Sequence, residues 1–157
     1  MTVSSGAYLN TLFKSTVALG DKAVSSDATF EIEGHEDITL LIKQFPWPEL
    51  STGGEIEIAM PMGSMMFQPQ QLKTAQQGQV SIYETVQGHA QNLFENLIAK
   101  GGIFDAKVYE GTPDNYTRVC EIKRCFMVLD NPDRDFENRS QVLMISGTIF
   151  FHFFGNQ

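Results

Sequence analysis

Residues 146–157 read SGTIFFHFFGNQ, and the run Ile149, Phe150, Phe151, His152, Phe153, Phe154 decides how the rest of the chain is read. Successive side chains of a strand point to opposite faces, so a strand half-buried against one core alternates apolar and polar residues. This run hardly alternates. As a strand it requires cover on both faces, either from its own core or from a second copy of the chain.

The chain has 157 residues, about one ordinary domain, enough to bury a core without metal or disulfide staples. Eleven Lys and Arg stand against nineteen Asp and Glu, a formal net charge of -8. That sign argues against binding nucleic acid by phosphate neutralisation, which needs clustered cations. It is compatible with standing beside DNA without gripping it. The opening MTVSSGAYLNTLFK has no early basic residue and no long apolar stretch, so it is not expected to be a secretory leader, and no run reaches the length of a membrane span. Cys120 and Cys125 lie five apart in one expected strand, about 16 Å at full extension. A disulfide needs Cα atoms within about 7 Å, so they are expected to be free thiols.

Upstream of the terminal strand the pattern is mostly period two. Residues 7–19 carry Tyr8, Leu9, Leu12, Phe13, Val17 and Leu19 at mixed helical spacing, and GDKAVSSD (20–27) reads as a polar connector. ATFEIE and ITLLIKQF are expected to form a hairpin about Gly34–Asp37. PWPELSTGG, with Pro46, Pro48, Gly53 and Gly54, cannot sit inside a sheet and is expected to protrude as a loop. EIEIAM resumes alternation, the Met- and Gln-rich residues 60–79 read as a connector, and VSIYETV as another strand. In GHAQNLFENLIAKGG, Ala90, Leu93, Phe94, Leu97 and Ile98 recur at helical spacing with Gly101 as C-cap. IFDAKVYE and TRVCEIKRCFMVL follow, and LDNPDRDFEN joins the latter to the terminal strand as a hairpin.

The fold class is therefore mainly β: an antiparallel β-sandwich or barrel of about seven strands with one packed α-helix. The division is an N-terminal arm with a short helix, 1–27, and one β domain, 28–157.

Signals for chemistry are sparse. His35, His89 and His152 have no metal-ligand spacing, and no phosphate loop, nucleophile elbow or dinucleotide turn is present. Asp133, Asp135 and Glu137 do not form an EF-hand loop, because its sixth position would fall on Asn138 rather than Gly. No enzyme and no cofactor is expected. A sugar- or peptide-binding sandwich could draw on Tyr83, Tyr109 and Tyr116.

The order of these elements over roughly residues 28–154 resembles the tail tube protein of contractile-tailed bacteriophages, and more distantly the tube protein of type VI secretion systems. The likeness rests on the early strands ATFEIE and ITLLIKQF, the loop PWPELSTGG, EIEIAM, the lone helix GHAQNLFENLIAK and the closing SGTIFFHFF. It implies a β-barrel protomer of hexameric rings that stack into a hollow tube, a conduit for DNA ejection. A related baseplate or tail-terminator ring is the alternative. It also implies a tail sheath protein outside, a tape measure protein and passing double-stranded DNA in the lumen without specific binding, and baseplate partners. No stable membrane association is implied, and the setting is a virion tail assembled in the host bacterial cytoplasm. By the same resemblance, Pro46, Trp47, Pro48, Glu49 and Leu50 form a ring-stacking loop. Glu55, Glu57, Gln70, Gln71, Gln76 and Gln77 are lumen-facing candidates, and Ile149, Phe151 and Phe153 a subunit interface. The acidity suits a bore that must let phosphates slide past.

Overall fold

A computed structural model describes residues 5–156. The first four residues of the 1–27 arm, with that part of the leader reading, and Gln157 at the end of the 28–157 domain lie outside the described residues. The elements run α1 (Gly6–Ala18), β1 (Thr29–Ile32), β2 (Ile42–Gln44), β3 (Glu55–Ala59), β4 (Met65–Pro69), β5 (Ala75–Tyr83), α2 (His89–Ala99), β6 (Phe104–Gly111), β7 (Tyr116–Leu129) and β8 (Met144–His152). Six strands form one antiparallel sheet in the order β1-β6-β7-β8-β5-β2, and β3 pairs with β4 alone.

Strands from both ends of that sheet send side chains into a single core. Phe30 and Ile32 of β1, Val108 of β6, Ile122 of β7, Ile149 and Phe151 of β8, and Val80 and Ile82 of β5 all belong to it. The sheet therefore wraps around its apolar side, and α2 adds Ala90, Leu93 and Leu97 to the same core. A mainly β, antiparallel, tube-like sandwich with a helix packed on it is the observed class.

Helix α2 follows its sequence closely. Its amphipathic spacing buries one face. At its start the Glu84 carboxylate accepts hydrogen bonds from the amides of Ala90 and Gln91, both at 3.1 Å, replacing the side-chain cap that Gly88 cannot supply. At its end the Gly102 amide donates to Leu97 O at 2.7 Å and the Gly101 amide to Ile98 O at 3.0 Å, a Schellman closure with Gly101 at φ 98°.

Three sequence expectations change. First, β1 and β2 do not form a hairpin; they lie at opposite edges of the sheet, joined by a 3-10 segment at Glu36–Leu41. Residues three apart line up along such a turn, which sets Ile38 and Leu41 toward the core and leaves Leu40 94% exposed. Second, part of the Met- and Gln-rich connector is β4, and another part begins β5, so the described residues hold eight strands.

Third, β7 does not keep one parity. Its register against both β6 and β8 slips around Arg124, whose φ is 48° and whose amide donates to the Asp105 carboxylate at 3.0 Å. This bulge inserts one residue and reverses the alternation beyond it. Cys120 and Ile122 point inward before the bulge; Cys125 points inward after it, and Phe126 and Val128 face out.

Both cysteines are free and buried. Burial pushes the Cys125 thiol up to about 12, with the nearby Asp105 charge acting in the same direction. Burial also raises the Cys120 thiol. Neither offers a thiolate nucleophile near neutral pH.

Candidate functional site

The terminal strand resolves the question of its two apolar faces. Ile149 is 0% exposed, and Phe151 and Phe153 are buried beside it in the monomer core. These three were expected to form a subunit interface; side chains already enclosed by their own chain cannot also meet a neighbour, and that expectation is corrected. The opposite parity carries the outward face. Phe150 stacks on Phe126 with ring centroids 5.0 Å apart at 15°. Pairing places Gln77 beside Phe150, Gln79 and Val128 beside Thr148, and Lys123 beside His152 at the next outward position, so this outer surface of β5, β8 and β7 surrounds the aromatic pair with neutral side chains on one side and a cation on the other.

The expected ring-stacking loop is clamped down rather than projecting. Pro48 is fully buried and Trp47 packs against the core. The Arg118 guanidinium lies 5.4 Å from the Trp47 ring centroid and is held there by Glu110 at 2.6 Å, a hydrogen bond that raises its already high pKa. Pro46 lies so close to Gly78 that a Cβ there would come within 2.4 Å of it. Close approach of the loop to the sheet thus excludes any side chain at position 78. Pro48 is thus a packing residue, and Pro46 and Trp47 lie half-buried against the sheet rather than on a projecting loop. Glu49 and Leu50 stay exposed.

Nor do the glutamines act together. Gln76 and Gln77 are consecutive in β5 and point to opposite faces. The Gln76 amide donates to Glu49 O at 2.8 Å and to Lys73 O at 3.2 Å, which ties down the loop. Gln76 thus braces the loop, while Gln77 is exposed beside Phe150. Gln70 donates to Glu55 O at 3.1 Å at the base of β3–β4 and is exposed with Gln71.

The element that does project is β3–β4. Its base is tied by Gly53 N to Gln71 O and Gln70 N to Gly54 O, each 2.9 Å. Above that base every residue except Ile58 is exposed. The register places Glu55, Glu57 and Ala59 on one face with Pro69, Phe67 and Met65, and Ile56 and Ile58 on the other with Gln68 and Met66. Both faces therefore show apolar side chains; Phe67 is 70% exposed and Met62, at the tip, is entirely so. Contiguous apolar surface of this kind marks an interaction site, and methionines make it adaptable. Sequence alternation in EIEIAM identified the strand, but its pairing with MMFQP depended on recognising the turn at Pro61–Gly63.

A second projecting element is α1. Ser5 caps it, its side chain accepting from the Tyr8 amide at 3.2 Å, yet none of its residues is buried.

The histidines and tyrosines find local partners. His89 bonds Thr85 and His152 bonds Lys123 O, and among the described residues no three metal donors converge. Of the three tyrosines, Tyr109 and Tyr116 meet at 5.1 Å, while Tyr83 lies on β5 next to Lys43. Among the described residues no helix is long and apolar enough to cross a membrane.

No family model matches the sequence, and no curated protein does. Solved structures match it over most of its length. A chain of the sheath–tube complex of an extracellular contractile injection system in its extended state aligns with TM-score 0.55 and 15% identity, covering 87% of this chain and 92% of that one. A chain of the sheath/tube terminator of such a system aligns at 0.56 and 12%, covering 85% and 94%. A chain from the sixfold-symmetrised anti-feeding prophage baseplate aligns at 0.56 and 9%, covering 85% and 93%. The fold is thus the one found in tube, terminator and baseplate components of contractile injection machines, and the sequence's resemblance to a tail tube protein holds at the level of fold.

Proposed function

We propose that this chain is a structural, non-catalytic subunit of a contractile tail, forming stacked hexameric rings of its inner tube. The observation that carries the reading is the combination of this fold with the exposed apolar hairpin β3–β4. A monomer with such a hairpin leaves Ile56, Met62, Met65 and Phe67 in water, and a copy stacked above or below removes them from it. Contact between rings is assigned to this hairpin together with Glu49 and Leu50, in place of the clamped residues 46–48.

Glu55, Glu57, Gln70, Gln71 and Gln77 are the candidates for the bore, where acidic and neutral side chains let double-stranded DNA pass without ion pairing. Sheath outside, tape measure protein inside and baseplate proteins at the end complete the proposed set of partners. The proposed place is the virion tail, assembled in the bacterial cytoplasm, without stable membrane association. A terminator or baseplate ring is the second reading, favoured by the equal match to chains of both kinds.

Electron microscopy of the purified protein tests these readings. Tubes are expected; isolated rings transfer the assignment to the terminator or baseplate, and particles that stay monomeric at high concentration overturn both.

A further inference from the structure

Helix α1 leaves Tyr8, Leu9, Leu12, Phe13 and Val17 in solvent, with Phe13 67% exposed. Leu9, Phe13 and Val17 recur every four residues, with Leu12 beside them, so they form one apolar stripe. An isolated helix of 13 residues with such a stripe is marginal in water and gains stability mainly from packing.

Elsewhere in the same molecule lies a matching hollow. A cleft of about 110 Å³ opens between Phe94, Leu97 and Ile98 of α2, Phe104 of β6, and Met127 and Leu129 at the end of β7. Ile98, on its rim, is 73% exposed. No residue of α1 lines this cleft.

We propose that α1 of one copy docks its Leu9/Phe13/Val17 stripe into the α2–β6–β7 cleft of a second copy. The charges agree. The only charged residue of α1 is Lys14, whereas the body after Asp27 keeps 17 acidic residues against 9 basic ones once Asp21, Asp27, Lys14 and Lys22 are set aside. The cleft's own helix carries Glu95 on its exposed side.

Reach agrees too. The chain is tied to its body by the Gly111 amide, which donates to Asp27 O at 3.1 Å. The eight residues from Leu19 to Ser26 span up to about 27 Å, and the helix adds about 20 Å. A body of this size has a radius of gyration of roughly 14 Å, so a touching neighbour is within range. The exchange deepens the assembly reading but needs only association of copies, not a tube.

The test mixes two full-length variants, Thr16→Cys and Glu95→Cys, and treats them with a short bismaleimide; native Cys120 and Cys125 are buried and do not compete. A cross-linked heterodimer is expected from the mixture, beyond the homodimer that either variant gives alone. Adding Phe13→Ser to the Thr16→Cys chain is expected to lower its yield roughly tenfold. No heterodimer, a yield indifferent to Phe13→Ser, or cross-linking only within one chain of a variant that carries both Thr16→Cys and Glu95→Cys overturns the exchange. Electron microscopy of the same samples separates the readings. Rings without the cross-link sink the arm and spare the tube; the cross-link without rings does the reverse.

Discussion

The terminal strand β8 and the hairpin β3–β4 are comparably apolar in sequence and opposite in fate. Ile149, Phe151 and Phe153 are enclosed by their own chain, while Ile56, Met65 and Phe67 stand in solvent. The difference lies in their neighbours. Between β7 and β5, β8 is a central strand with a core beneath it, whereas β3 and β4 have only each other. Apolar character states that a surface must be covered. It does not state by whom.

The contrast can be broken by substitution. The largest loss is expected from Phe151→Ala, which opens a cavity in the core and should cost about 3–5 kcal/mol of monomer stability in urea unfolding. A loss near zero would return this side chain to the surface. Next is Trp47→Ala, expected to cost about 2 kcal/mol because the indole is half-buried under Arg118. A variant that keeps monomer stability but fails to stack would reinstate the loop as a contact between rings.

A smaller effect comes from pH. The Cys125 thiol ionises near 9 when unfolded and near 12 when folded, because burial disfavours the thiolate. The folded state therefore holds a proton that the unfolded state releases, so this contribution is whole below pH 9 and is lost as pH rises toward 12. Moving from pH 8 to pH 10 should cost on the order of 1 kcal/mol through this group. Cys125→Ala should flatten that part of the decline in urea midpoint; an unchanged slope would show the thiol to be better solvated.

The smallest change in monomer stability is expected for Phe67→Ser, within about 0.5 kcal/mol, since the ring touches little of its own chain. Its effect should appear in assembly, as loss of rings or tubes in sedimentation and microscopy. If assembly survives and monomer stability falls, the hairpin belongs with β8.

Much of this molecule was legible in its sequence. Alternation marked β1 and β3, helical spacing and Gly101 marked α2, and the terminal aromatic run marked a strand, although only its Ile149, Phe151 and Phe153 side is enclosed and Phe150 faces outward against the half-exposed Phe126. The site was read less well. Trp47 between two prolines suggested a projection, yet Gly78, more than thirty residues away, makes room for Pro46 and lets the loop lie flat. The mixed parity of β7 was visible, but its cause, one residue bulged at Arg124 onto the Asp105 carboxylate, was not.

By itself the sequence determined local periods: which residues share a face, where a helix starts and stops, and that the protein would be acidic and mainly β. Only the tertiary structure decided which apolar face is the chain's own interior and which is left over. A side chain's burial depends on strands paired across long sequence separations, and a single inserted residue exchanges inside for outside along the rest of a strand.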